Sequence, residues 1–210
     1  MNASVSLREM LDRLVEEAFL SGFDLEHFRA LPGYKERMTY AKETGLPRLG
    51  CGVAKCTYAL SPEKVIKIAK DAEQNSKEFS AFKKFGPKYA PAIYDHDEYF
   101  TWMISEHATT WQSAEQFEAD TGLNETWLES AFHFLLTHPE VTPENLSREF
   151  NKVKSWEVPD VSPTKLGKIL IAKMAHLARG GMDDVTHWAH WGITAGGRLV
   201  CVDLGMTHEY

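Results

Sequence analysis

The sequence has little cysteine and no long apolar run. No apolar stretch approaches the roughly 20 residues that a membrane-spanning helix needs, and residues 1–4 do not begin a secretion signal. The three cysteines, Cys51, Cys56 and Cys201, cannot all pair with one another and show no CxxC spacing of the kind that binds metals. We therefore expect reduced thiols in a soluble, cytoplasmic protein without a membrane segment.

An excess of basic residues is also lacking. The chain has 23 Lys and Arg against 30 Asp and Glu, a formal net charge of −7, which disfavours nucleic-acid binding through the overall field. Internal repeats and low-complexity segments are absent. With 210 residues, 43% of them hydrophobic, the chain can bury a core without metals or disulfides, either as one domain or as two joined lobes.

Helical periodicity dominates the first part of the chain. Apolar residues recur at three-four spacing over 7–19, and Ser6 with Glu9 forms a capping box, so this segment predicts a packed amphipathic helix that stops near Gly22. A second short helix is predicted from about Asp24 to Leu31. The charged segment 35–44 fits either a helix or a loop.

The pattern changes at Pro47. Three short strands are predicted, followed by a helix and a hairpin of two further strands. Their ranges are 46–50, 55–60 and 64–69 for the strands, 74–85 for the helix, and 92–94 and 99–105 for the hairpin.

The chain beyond Glu106 predicts mainly helices, followed by a small closing hairpin. Thr142-Pro143 and Ser162-Pro163 each match an N-cap followed by proline in the first helical position. The predicted helices are 124–137, 143–155 and 163–179, and the hairpin strands are 191–194 and 198–202. The chain as a whole therefore predicts an α+β fold.

Four features along the chain carry residues suited to chemistry. Gly50 and Gly52 fit either a plain turn or a loop whose backbone approaches a phosphate. Lys67 shares a strand face with Val65, so it is either a surface lysine or a positioned phosphate-binding ammonium. Glu78 lies on the same helix side as two phenylalanines, and a carboxylate that points inward needs a partner.

The fourth feature is the acidic end of the chain. Asp183 and Asp184 lie in a loop, and Asp203-Leu204-Gly205 follows a Val-rich strand. Carboxylates at such strand and loop ends can hold Mg²⁺ beside a polyphosphate, although a plain turn explains the second segment equally well.

In this order, the four features resemble the protein-kinase-like fold, and most closely the compact kinases of bacteriophages and bacteria. The resemblance covers about residues 46–205 and rests on the following segments: Leu49 to Tyr58 as the glycine-rich loop, Val65-Ile66-Lys67 as the lysine strand, Glu78 as its helix partner, Met103 to Ala108 as the hinge, Met182 to Val185 as the catalytic loop, His190-Trp191-Gly192-Ile193, and Asp203-Leu204-Gly205 as the DFG-like motif.

The resemblance implies a bilobal protein with three parts. They are a helical extension over 1–45, an N-lobe with a five-stranded antiparallel sheet over 46–107, and a reduced helical C-lobe over 108–210. It implies an ATP- and Mg-dependent phosphotransferase acting on Ser or Thr of a protein, of phage or prophage origin and then located in the host cytoplasm. No membrane or nucleic-acid partner is expected.

The resemblance also assigns roles to single residues. Gly50, Gly52 and Lys67 would bind the phosphates, and Glu78 would orient Lys67. Glu106 and Ala108 would meet the adenine through backbone groups. Asp203 and His190 would hold Mg²⁺ or Mn²⁺, and Asp184 would act as the base, with Asp183 as the alternative.

The sequence departs from the family pattern in several places. No His-Arg pair precedes the loop aspartate, and His190 stands where the family has asparagine. Only five residues follow Gly205, so we expect neither an activation segment nor a peptide-docking subdomain. These departures leave open a pseudokinase that acts by binding a host protein. A metal hydrolase whose metal is held by Asp183, His187 and His190 is a further alternative.

Overall fold

The computed structural model describes residues 22–155, 157–182 and 185–204. The helix predicted over 7–19 lies outside these residues, as do Asp183, Asp184 and Gly205. The described residues divide into two compact units. Residues 22–79 and 92–107 form the first, here called the sheet unit, and residues 80–91 and 108–204 form the second, here called the helical unit.

The sheet unit combines helices with one antiparallel sheet, in the strand order β1-β2-β3-β5-β4. The α+β class and the five-stranded antiparallel sheet expected from the sequence are therefore confirmed. In chain order the elements are α1 (Leu25–Ala30), α2 (Tyr34–Glu43), β1 (Arg48–Cys51), β2 (Lys55–Ser61), β3 (Lys64–Ala69), α3 (Ala72–Phe85), β4 (Ile93–His96) and β5 (Trp102–Glu106). The last six residues of α3, from Ser80 onwards, are assigned to the helical unit.

Local signals explain where the first helices begin and end. Helix α1 lies within the range predicted for it, and the Asp24 carboxylate caps it by accepting hydrogen bonds from the amides of Glu26 and His27, at 2.8 and 3.2 Å. The segment 35–44, which the sequence left open, is helical. Helix α2 ends just before Gly45, whose φ of 73° is a left-handed conformation that favours glycine.

Alternation along the central strands separates the two faces of the sheet. On one face Ile66 and Ile68 are fully buried, as expected from β3. They belong to an apolar cluster that joins the sheet to α1 and α2, and its buried members are Phe28, Ala41, Leu46, Cys56, Tyr58, Leu60, Ile66, Ile68, Trp102 and Ile104. Burial of each large side chain in this cluster stabilises the unit by about 1.5–3 kcal/mol.

The helical unit contains short strands as well as helices. Its elements are β6 (Ala108–Thr110), α4 (Ala114–Thr121), α5 (Glu125–Thr137), α6 (Pro143–Val153), α7 (Lys165–Arg179), a 3₁₀ turn (Trp188–His190), β7 (Trp191–Thr194) and β8 (Leu199–Cys201). Strands β6, β7 and β8 form an antiparallel sheet in that order. No helix in the described ranges combines the length and the apolarity that crossing a membrane requires.

Two sequence expectations in the helical unit need correction. Strand β6 was not predicted, because the segment after Glu106 was expected to turn directly helical, and the helix that follows it, α4, was given no range of its own. Helix α7 is capped by Thr164, whose hydroxyl accepts from the Gly167 amide at 3.2 Å, and not by Ser162. A side chain at Gly122 would collide with the Ser162 carbonyl, so the extended segment before α7 is held against the end of α4.

Candidate functional site

Lys67 and Glu78 form a buried ion pair in the sheet unit. Strand alternation places Lys67 on the face opposite the apolar cluster, and helix α3 brings Glu78 to that face. The Lys67 Nζ binds Glu78 Oε1, and the two side chains are 7% and 0% exposed. The inward orientation and the ion pair expected from the sequence are confirmed. An ammonium and a carboxylate buried together offset much of each other's desolvation cost.

The structure adds Lys55, which the sequence analysis did not single out. The Lys55 Nζ binds Glu78 Oε2, the second oxygen of the same carboxylate. The register pairs Thr57 with Lys67 and Lys55 with Ala69, so Lys55, Thr57 and Lys67 share one face of the sheet. Strand alternation in the sequence already places Lys55 and Thr57 on the same face of β2. It does not show that Lys67 lies on that face too, because this depends on the register between β2 and β3.

The glycine segment forms the turn between β1 and β2. Gly50 pairs with Thr57 in the sheet, and the Gly52 amide donates to the Lys55 carbonyl at 2.9 Å. That amide therefore closes the turn and does not point outward as a phosphate donor would. A Cβ at Gly50 or Gly52 would meet no atom within 4 Å, so packing among the described residues does not require glycine at either position.

A disulfide crosses this turn, which corrects the expectation of reduced thiols. Cys51 and Cys56 are directly opposed in the β1–β2 ladder and are joined through their sulfurs. The third cysteine, Cys201, is a buried thiol whose Sγ lies 3.6 Å from the Asp203 carbonyl. Cross-strand pairing explains the disulfide, because opposed residues in an antiparallel ladder have closely spaced Cβ atoms.

The segment from Met103 to Ala108, expected to form the hinge, contains the boundary between the two units, which falls between residues 107 and 108. The Glu106 amide donates to the Ala92 carbonyl at 2.7 Å, and Glu106 Oε2 accepts from the Ala92 amide at 3.1 Å. These two bonds fix the end of β5 to the start of the β4 segment. Ala108 is buried in β6, opposite Thr194 in the helical unit. The contact of Glu106 and Ala108 with adenine stays a prediction.

The remaining predicted site residues that are described belong to the helical unit. His190 ends the 3₁₀ turn, and its ring stacks on the His187 ring at 5.0 Å. The Val202 amide donates to the His190 carbonyl at 2.7 Å, which ties this turn to the residue before Asp203. Trp191, fully buried, donates from its indole nitrogen to the Val185 carbonyl at 2.8 Å.

The described side chains do not form a metal-binding cluster by themselves. Within 22–155, 157–182 and 185–204, no three His, Cys, Asp or Glu residues lie close enough to hold a metal ion. The metal roles of Asp203 and His190, and the base role of Asp184, therefore stay predictions. Asp183, which the alternative metal site requires, lies outside the described residues.

Comparisons with known proteins give one structural similarity to report. No protein-family profile and no curated protein matches the chain. Among solved structures, the chain is similar to APH(2″)-IIa, an aminoglycoside phosphotransferase solved as a ternary complex with streptomycin and ATP. The identity is 18%, the match covers 52% of this chain and 38% of that chain, and the TM-score is 0.30. A similarity at that TM-score says nothing about the function of this chain.

Proposed function

We propose that the protein is an ATP-dependent phosphotransferase with a protein-kinase-like fold. The observation that carries the proposal is the buried pair of Lys67 on β3 and Glu78 on α3. In such folds the strand lysine contacts the phosphates of ATP, and the helix glutamate holds the lysine ammonium in position. The same strand–helix order was expected from the sequence resemblance.

The side chains of this region suit a nucleotide polyphosphate. Lys67 supplies N–H donors and a positive charge, and the open backbone at Gly50 gives room for close approach. When bound, Mg·ATP supplies the phosphoryl group, and its metal neutralises the developing charge. In this proposal Asp203 would hold Mg²⁺, His190 would favour Mn²⁺ at a second position, and residues Glu106 to Ala108 would meet the adenine.

The proposed acceptor is a Ser or Thr hydroxyl of a protein, which Asp184 would orient and deprotonate. If the protein is encoded by a phage or prophage, the acceptor would be a protein of the host cell. The second candidate function is a pseudokinase that binds a partner protein without turnover. The Gly52 amide favours this second candidate, because it is bonded within its own turn and is not presented to a phosphate.

Thermal melting with and without Mg·ATP tests nucleotide binding. A ligand present at about 100 times its Kd stabilises the folded state by about 2.7 kcal/mol, so a clear upward shift is expected. Lys67→Met should abolish the shift. Lys70→Met is the matched control, because Lys70 is exposed at the end of β3 and should leave the shift unchanged. Equal shifts in all three proteins would contradict the proposed role of Lys67.

Transfer of labelled phosphate from ATP, either to the protein itself or to an added protein, separates the two candidate functions. Turnover that is lost in Lys67→Met supports the phosphotransferase. Asp203→Asn should weaken binding of ATP with Mg²⁺ far more than binding without metal, because an amide is a poorer ligand for a hard cation. Nucleotide binding without any transfer would favour the pseudokinase.

A further inference from the structure

The lysine-bearing face of the sheet contains two ammonium groups that share one carboxylate. Glu78 is fully buried, and each of its oxygens binds a different lysine, Lys67 at Oε1 and Lys55 at Oε2. An ammonium has three N–H donors, so a bond to Glu78 is compatible with further bonds from the same nitrogen to an anion.

The strand register explains why both ammonium groups reach the same carboxylate. Lys55 is two residues before Thr57, and Thr57 lies directly opposite Lys67, so the two lysines are diagonal neighbours on one face. The other face of these strands is covered by the apolar cluster that packs against α1 and α2. A ligand that contacts Lys67 therefore approaches from the face that also bears Lys55.

The backbone around Lys55 is held by hydrogen bonds. Its carbonyl accepts from the Gly52 amide at 2.9 Å, and the Ala54 carbonyl accepts from the Lys70 amide at 2.7 Å. Lys55 is also adjacent to Cys56, which is joined to Cys51 across the turn. These bonds fix the backbone of Lys55 at the end of the glycine turn. The Lys55 side chain is 14% exposed.

We propose that Lys55 is a second polyphosphate-binding residue, which contacts the phosphates of a nucleoside triphosphate together with Lys67 while Glu78 holds both ammonium groups in place. This inference rests on the proposed function and deepens it. A positively charged pair held at a fixed spacing suits a chain of phosphates better than a single phosphate group, because adjacent phosphates present several anionic oxygens along one line.

Calorimetric titration with ATP and AMP, on the full chain, tests this role. Lys55→Met keeps the apolar stem and should weaken ATP binding about tenfold or more, while AMP binding changes by less than about twofold. Lys55→Arg keeps the charge and should stay within about threefold of the unaltered protein. Lys70→Met, the exposed control, should bind both nucleotides like the unaltered protein.

A double-mutant cycle separates phosphate binding from an indirect effect through Glu78. If Lys55 contacts the phosphates, Lys55→Met still weakens ATP binding when Glu78 is already Gln. If Lys55 acts only by positioning Glu78, the second substitution has no further effect, and the inference is overturned. Thermal melting of each variant shows whether it is folded, and Lys55→Gln, which also removes the charge, replaces Lys55→Met in every comparison if Lys55→Met does not fold.

The outcomes distinguish this inference from the proposed function. If the unaltered protein binds no ATP at millimolar concentration, the proposed function and the role of Lys55 are both overturned. If the unaltered protein binds ATP and Lys55→Met binds it equally well, only the role of Lys55 is overturned. Equal losses for ATP and AMP in Lys55→Met would also overturn it, because a polyphosphate contact must depend on the number of phosphates.

Discussion

The two faces of the β2–β3 ribbon use the same strands for opposite purposes. On one face Ile66 and Ile68 pack with Phe28 and Trp102 in a core from which water is excluded. On the other face Lys67 is just as deeply buried, but its neighbour is the carboxylate of Glu78. One face stabilises the fold through apolar burial. The other face lowers stability by the cost of removing three charged groups from water, which their mutual attraction only partly offsets.

The contrast shows that burial alone does not identify the purpose of a residue. Ile66 and Lys67 are consecutive and are 0% and 5% exposed, yet only the second carries groups that bind an anion. A buried charge needs a specific partner at a specific distance, whereas an apolar residue needs only matching shape. Substitutions on the two faces should therefore change stability for different reasons.

Phe28→Ala on the apolar face should have the largest effect on stability. Phe28 is fully buried and packs edge-on against Trp102, with ring centroids 5.9 Å apart, so its removal leaves a cavity. We expect the free energy of unfolding to fall by about 3–5 kcal/mol in urea titration. Val53→Ala, at a position that is 94% exposed, is the control and should change little. A loss below about 1 kcal/mol for Phe28→Ala would show that this face is loosely packed.

Glu78→Gln on the polar face should lower the free energy of unfolding by about 3 kcal/mol, because it removes the charge shared by two ammonium groups. Urea titration measures this loss. Adding Lys67→Met to the Glu78→Gln variant should restore part of the lost free energy of unfolding. One of the two ammonium groups left without the Glu78 charge is then also removed. Additive losses in the double variant would contradict the charge-cluster account.

Reduction of the Cys51–Cys56 disulfide should have a smaller effect. The disulfide closes only a short turn, so the chain-entropy model gives about 2 kcal/mol of stabilisation. Melting with and without a thiol reductant measures it. The reductant should lower the melting temperature of the unaltered protein and leave Cys51→Ser unchanged. The same melting temperature with and without reductant would show that the two thiols do not pair in solution.

Ser105→Ala should have the smallest effect and the opposite sign. Ser105 is fully buried opposite Val65, on the polar face, and its hydroxyl has no hydrogen-bond partner among the described residues. Removal of this hydroxyl should leave the free energy of unfolding unchanged or raise it by up to about 1 kcal/mol in urea titration. A marked loss would indicate that the hydroxyl is bonded in solution, for example through water.

Local patterns in the sequence predicted much of the sheet unit. The alternation over 64–69 predicted the strand and placed Ile66 and Lys67 on opposite faces, but it left Lys67 as either a surface or a positioned lysine. The helical spacing after it predicted an inward Glu78. The short helix predicted from about Asp24 to Leu31 is present as α1, and its cap by Asp24 is a local contact within one turn of the helix. The short strand β6 was missed, because three residues carry too little periodicity to be recognised.

Spacing along the chain was enough to predict the α+β class and most of the helices and strands, whereas the pairing of Lys67 with Glu78 was expected from the strand–helix order and the family resemblance. Only the tertiary structure decided that Lys55 joins the same carboxylate and that Cys51 faces Cys56. Both contacts depend on strand register and on turn geometry, which bring together side chains whose sequence spacing does not indicate that they meet. A register shift of one residue would turn Lys55 to the other face of the sheet, and the number of lysines around Glu78 is therefore a property of the fold.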